Sequence, residues 1–148
     1  MDDDKLDALA ELGAHIAAHL GATVLARDIA NGELVIEVPA DTLGKTMKFL
    51  RDDASCLFKG LMDICGVDYP EQENRFEIVY NLLSYKHNHR IRVKLRTDAD
   101  TPVPSIAKIF PTASWFEREC WDMYGVFFSD HEDLRRLLTD YGFEGHPL

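Results

Sequence analysis

The sequence predicts a small α+β domain, with a mainly antiparallel sheet and flanking helices, followed by an extended C-terminal tail. Three observations point there. Apolar residues recur at helical spacing over 1–20, Asn31-Gly32 separates two strand-like segments, and 75–84 and 89–96 alternate apolar with polar residues. The predicted order is α-β-β-α-β-β-β-α, with a domain over residues 1–125 and a tail over 126–148.

In the first helix Leu6, Leu9, Leu12 or Gly13, Ile16 and Leu20 share one face. Asp2, Asp3 and Asp4 suit its N-terminus, where carboxylates meet the positive end of the dipole, and Gly21 suits its C-terminal cap. Residues 24–29 and 33–38 form a hairpin about Asn31-Gly32, the strongest short turn signal. Leu34, Ile36 and Val38 fall on one side of it, and Pro39 ends the strand. Asp41 is placed to cap a second helix with Leu43, Met47 and Leu50 as its apolar stripe. Asp52-Asp53 oppose the dipole at its far end, which predicts a stop there.

Residues 57–69 are apolar but interrupted by Gly60 and Gly66, which predicts a bent or bulged strand. Phe76, Ile78, Tyr80 and Leu82 line one face of the next strand. In the strand after it, Ile91, Val93 and Leu95 point one way and Arg90, Arg92, Lys94 and Arg96 the other. The link 85–88 is short enough for a hairpin. Residues 97–112 are a connector broken by Pro102 and Pro104, with a short helix expected over 105–110. Ser114-Trp115-Phe116-Glu117 matches a capping box and opens a helix to Tyr124, closed by Gly125. The tail holds Phe127, Phe128, Leu134, Leu137, Leu138, Tyr141 and Phe143 without a long period. Those apolar groups need a surface: either the tail folds back on the domain or a partner covers it.

Composition excludes some functions. Twenty-six acids oppose 16 Lys and Arg, a net charge of −10. A duplex nucleic-acid binder carries a basic face that neutralises phosphates, so this balance argues against that role. No apolar run approaches the ~20 residues that span a bilayer. The acidic start resembles neither a secretory signal nor a transit peptide, which predicts a soluble, cytosolic chain. The exception to the acidity is local. Lys86, Arg90, Arg92, Lys94 and Arg96 are five cations with no acid between Ile78 and Thr97. That strand face is either a solvated surface with long aliphatic stems or a docking face for acidic groups.

Sites of chemistry are sparse. Cys56, Cys65 and Cys120 match no zinc or disulfide spacing and read as buried, reduced thiols. His131-Glu132 begins like a zincin motif, but Arg135 stands where the second histidine is required. His87-x-His89 offers two imidazoles with no carboxylate or cysteine near in sequence, and reads as a solvated hairpin tip. Asp98-x-Asp100 reads as loop polarity. Nothing positive supports a Cys120/His131 nucleophile and base. Glu119 and Asp122 share a helical face, and Arg118 is spaced to pair with Asp122, with Arg135 and Arg136 as further partners.

One segment is more specific. Glu117-Arg118-Glu119-Cys120-Trp121-Asp122-Met123-Tyr124-Gly125-Val126-Phe127-Phe128 is followed by His131-Glu132-Asp133-Leu134-Arg135-Arg136-Leu137-Leu138, then by Asp140-Tyr141-Gly142-Phe143-Glu144-Gly145-His146-Pro147. This resembles the signature E-R-E-x-x-D-[ML]-[FY]-G-[IV]-x-F, H-P-D-L-R-R-[IL]-L and D-Y-G-F-x-G-H-P of the 30-kDa-subunit family, the C subunit of respiratory NADH:quinone oxidoreductase (complex I). Asn74-Arg75-Phe76-Glu77-Ile78-Val79-Tyr80-Asn81-Leu82-Leu83-Ser84 and Arg90-Ile91-Arg92-Val93-Lys94 are similar to that family as well. Residues 50–148 carry the resemblance; the N-terminal third shares only its layout. Glu132 departs from the family proline and frees the backbone there. Relatives are expected to continue past the position of Leu148 with a basic stretch and a further tail.

The resemblance implies an α+β accessory subunit that binds no cofactor, carries no catalytic residue and has no membrane span. It would sit in the peripheral arm of a complex that uses FMN, iron–sulfur clusters, NADH and quinone. The arm lies on the cytoplasmic side of a bacterial inner membrane, or the matrix side in mitochondria. Its expected partners are the large hydrogenase-like subunit at the quinone site and the iron–sulfur subunits. Glu117, Arg118, Glu119, Asp122, Tyr124, Gly125, His131, Asp133, Leu134, Arg135, Arg136, Tyr141, Gly142, Gly145 and Pro147 are the interface or signature residues it implies. Two other readings stand beside it: the equivalent subunit of a membrane-bound hydrogenase or ferredoxin-linked complex, and a stand-alone metal- or Cys/His-dependent enzyme.

Overall fold

Asp3 and Asp4 open helix α1 (Asp3–Leu20) in the computed structural model of the chain, which describes residues 3–129. Leu9, Leu12, Gly13, Ile16 and Leu20 form its buried face, as helical spacing requires. Gly21 adopts φ 59 and leads into a 3-10 turn, Gly21–Thr23. Strands β1 (Ala26–Ala30) and β2 (Glu33–Glu37) pair antiparallel. Asn31 and Gly32 take φ 55 and 77, the left-handed pair that a tight hairpin turn demands.

Helix α2 (Leu43–Asp52) buries Leu43, Thr46, Met47 and Leu50 and stops at the predicted acidic pair. The expected Asp41 cap is corrected. The chain enters α2 through a 3-10 turn, Ala40–Thr42, so Asp41 lies inside that turn and Thr42 holds the N-cap position without a side-chain cap bond.

Strand β3 (Gly60–Asp68) begins later than the predicted apolar run and carries the predicted irregularity, a register shift between Leu61 and Asp63. Strands β4 (Phe76–Ser84) and β5 (His89–Thr97) follow. Phe76, Ile78, Tyr80, Leu82, Ile91, Val93 and Leu95 are all buried. The main sheet runs in the order β1-β2-β5-β4-β3. All neighbours are antiparallel except β2 and β5, which run parallel with Leu34 opposite Ile91 and Glu37 opposite Lys94.

The connector holds a two-residue strand, β6 (Val103–Pro104), that the prolines had hidden from sequence. The helix expected over 105–110 is a turn instead, closed by Ile109 and Phe110 N–H groups on the Ile106 carbonyl. Helix α3 (Ala113–Tyr124) starts two residues early, with Thr112 rather than Ser114 at the N-cap and no side-chain cap bond, so the expected capping box is also corrected. Thr112 is already helical at φ −64 and ψ −17, because the preceding turn runs straight into α3. Gly125 at φ 75 ends the helix in the left-handed conformation. Strand β7 (Phe128–Ser129) returns to pair parallel with β6, and Val126 and Phe128 are buried in the core.

The helices cover one face of the sheet. Leu34 lies against Gly13 of α1, Cys120 of α3 reaches the Ile64 carbonyl, and the Tyr124 ring lies on Gly66. A Cβ at Gly66 would stand 2.7 Å from that ring, so only glycine admits the contact. The opposite face carries Arg90, Arg92, Lys94 and Arg96 of β5, together with Val35 of β2 and Val79 of β4. Among the described residues no helix is long and apolar enough to cross a membrane.

Candidate functional site

Among the described residues of the signature, Glu117 is the most constrained. Helix α3 turns it inward to full burial. There its carboxylate accepts hydrogen bonds from the Ser105 hydroxyl at 2.6 Å and the Ile106 N–H at 2.9 Å. Ser105 in turn accepts from the Ala107 N–H at 3.2 Å. Glu117 thus satisfies donors of the connector turn, a task that the irregular backbone after Pro102 and Pro104 leaves to a side chain. The Tyr80 phenol lies in the same interior. Burial, and then the charge of Glu117, push it well above its ordinary value.

Two neighbours on the signature also shape the fold. Tyr124 packs edge-on against Phe76 at 6.2 Å and covers Gly66, while Gly125 provides the left-handed exit. The outer side of α3 differs. Arg118, Glu119 and Asp122 are exposed, and Trp115 and Met123 expose 65% and 60% of their surface. No ion pair joins Arg118 to Asp122 among the described residues. His131, Asp133, Leu134, Arg135, Arg136, Tyr141, Gly142, Gly145 and Pro147 lie outside the described residues, as do the expected tail contacts.

The basic strand keeps its predicted face but not its isolation. Arg92 Nε lies 2.9 Å from Glu33 on β2, and Lys94 and Arg96 lie 4.0 and 3.5 Å from Glu77 on β4. Arg96 also stacks 4.4 Å above the Tyr69 ring. Arg90 is exposed at the hairpin end. Partly exposed pairs of this kind contribute about 0–1 kcal/mol each. Three of the five cations thus face two acids on adjoining strands.

The remaining candidates resolve into structure. Asp98 accepts from the Asp100 and Thr101 N–H groups, at 3.0 and 2.7 Å, so the Asp98-x-Asp100 pair closes a turn. Burial pushes the Cys120 thiol up to about 12, the wrong direction for a nucleophile. Cys56 and Cys120 are buried as expected, whereas Cys65 is exposed.

Sequence reasoning missed one cluster. His15 Nε2 on α1 contacts the Asp53 carboxylate at 2.8 Å, just beyond α2. Asp53 also accepts from the Ser55 N–H, and the Cys56 sulfur lies within 4.8 Å of its carboxylate. Burial would raise the Asp53 carboxyl, but these hydrogen bonds outweigh it and hold the group below its usual range. Burial, reinforced by the Asp53 charge, pushes the Cys56 thiol up to about 12. His87 fastens the same loop by a 2.9 Å bond from Nε2 to the Ala54 carbonyl. The signal available in sequence was the Asp53-x-x-Cys56 spacing.

Similarity to known proteins spans both the sheet and the signature helix. The family model for the respiratory-chain NADH dehydrogenase 30 Kd subunit matches residues 36–148, most of the sheet and all of α3. The C subunit of NADH-quinone oxidoreductase from Paramagnetospirillum magneticum is 59% identical over 142 residues, covering 95% of this chain and 71% of that protein. In shape, the chain is similar to a trypsin-resistant fragment of Nqo5, with a TM-score of 0.70 and 24% identity over 84% of this chain and 97% of that one. It is similar also to a chain of the membrane-bound sulfane sulfur reductase, an archaeal respiratory membrane complex, with a TM-score of 0.71 and 22% identity over 91% of this chain and 92% of that one. At those identities the two structures share the fold alone. Sequence identity and the long signature together decide the family: the chain belongs to the 30 Kd subunit family of respiratory-chain NADH dehydrogenase.

Proposed function

We propose that the chain is a non-catalytic accessory subunit in the peripheral arm of NADH:quinone oxidoreductase, holding neighbouring subunits together while the complex passes electrons from NADH to quinone. One observation carries the reading. The outer side of α3 presents an exposed tryptophan and methionine beside Arg118, Glu119 and Asp122. A large aromatic flanked by charge is the composition of a protein–protein hot spot. The inner side of the same helix is committed to Glu117 and Tyr124, so signature residues divide between holding the domain and meeting a partner.

The proposed partners are the large hydrogenase-like subunit at the quinone site and the iron–sulfur subunits. FMN, iron–sulfur clusters, NADH and quinone belong to the complex, on the cytoplasmic or matrix side of its membrane. The domain runs on to Ser129, because Val126 and Phe128 sit in its core, and residues 130–148 serve as the docking tail. Co-purification tests the proposal. The tagged full chain should recover other complex I subunits, and Trp115→Ala with Met123→Ala should weaken that association at least tenfold while leaving the fold intact. An intact chain that never associates with those subunits refutes it. The fold shared with the sulfane sulfur reductase chain supports a second reading, the same role in a related membrane complex. Neighbouring genes separate the two: an NADH-oxidising flavin subunit nearby favours the first.

A further inference from the structure

We propose that His15 Nε2, the Asp53 carboxylate and Cys56 Sγ form a binding site for one divalent transition-metal ion of the zinc class. The inference is independent of the accessory role. The three donor atoms lie within 4.8 Å of one another. Tetrahedral zinc with bonds of about 2.0–2.3 Å holds its ligands roughly 3.3–3.6 Å apart, so the cluster needs only small side-chain movements to enclose an ion. An imidazole, a carboxylate and a thiolate are also the donors that zinc prefers.

The backbone supports the geometry. Asp53-x-x-Cys56 has the two-residue ligand spacing of a metal-binding turn. The Cys56 and Leu57 N–H groups both bond the Asp53 carbonyl at 2.9 Å, which folds that turn, and the Ser55 N–H orients the carboxylate at 3.1 Å. Leu57 sits at φ 48, a left-handed conformation unusual for leucine and found here at the turn's exit. His15 reaches the turn from another helix, so all three donors are fixed by tertiary packing. The site has an approach from solvent. His15 and Ser55 line a cavity of about 340 Å³ together with Glu11, His87 and His89. His15 and Asp53 expose 30% and 20% of their side chains, while Cys56 is fully buried. Three protein donors leave a fourth position for water.

The exchange balances simply. The metal replaces the thiol hydrogen of Cys56, the proton leaves to solvent, and the sulfur bonds the ion as thiolate. The His15–Asp53 hydrogen bond opens as both become ligands.

Titration of the full chain with Co2+, then Zn2+, tests the site. One Co2+ per chain should give a thiolate charge-transfer band in the near ultraviolet, which one equivalent of Zn2+ abolishes. Cys56→Ser should erase the band, and Asp53→Asn and His15→Gln should each weaken binding at least tenfold. His19→Gln should leave it unchanged. Asp53 and His15 are only half-buried, so those variants decide the matter even if Cys56→Ser fails to fold. Absence of the band, or a band insensitive to Asp53→Asn and His15→Gln, overturns the proposal. So does binding that depends on His87 and His89 instead.

Discussion

Two carboxylates, Glu117 and Asp53, each tie together separate segments of the chain, and they do so in opposite surroundings. Glu117 is fully buried, and Ser105 and Ile106 supply neutral donors to it. Asp53 sits at a rim, shared between a histidine, a thiol and a backbone N–H. The closed corner can only hold structure, because nothing in solution reaches its carboxylate. The open corner has the same kind of group with replaceable partners and a cavity beside it. Burial, not residue identity, separates an anchor from an available ligand.

Substitutions should widen that contrast. The largest effect is expected at the closed corner: Glu117→Ala strands the Ile106 N–H and the Ser105 hydroxyl in the interior and should cost about 3 kcal/mol in urea unfolding. Glu117→Gln retains one acceptor and should cost roughly half as much. A neutral Glu117→Ala would show that the connector turn holds itself. Gly66→Ala, under the Tyr124 ring, comes next at about 2 kcal/mol, since the ring must shift to admit a methyl group. At the open corner, His15→Gln should cost about 1 kcal/mol in metal-free buffer, because water can replace the lost partner.

The smallest effect concerns acidity. Burial, followed by the His87 charge, holds the His89 imidazole below its ordinary value of 6.5. The unfolded chain therefore takes up the proton first. Stability is fully present above pH 6.5 and is lost as the pH falls through the folded value. Thermal scans should show that decline in the parent chain and a shallower one in His89→Gln. Equal slopes would mean that His89 does not contribute.

What sequence could show was local. The Asn31-Gly32 turn and the alternation in β4 and β5 involve neighbours in the chain, and the structure has them in the predicted places. The capping box failed for the same reason. Ser114-x-x-Glu117 is a local rule, and the turn before α3 supplied helical geometry at Thr112 while the connector claimed the Glu117 carboxylate. The basic face was legible, and Glu77 lies on the other arm of the hairpin expected at 85–88, but Glu33 reaches it from β2, and no one-dimensional pattern brings β2 beside β5. His87-x-His89 looked remote from any carboxylate or thiol. In space His87 fastens the loop that carries Asp53 and Cys56.

The parallel seam between β2 and β5 bears on how the molecule is made. Leu34 must wait for Ile91 to leave the ribosome before β2 gains its second neighbour. Until then the N-terminal hairpin has a bare hydrogen-bonding edge, the kind that invites association between chains. The contiguous β3–β4–β5 meander pairs only segments adjacent in the chain and closes shorter loops, so it is expected to form first and to serve as a template. Pulse-labelling hydrogen exchange during refolding should find β4 amides protected before those of β2. Simultaneous protection would point to a single nucleus spanning the seam.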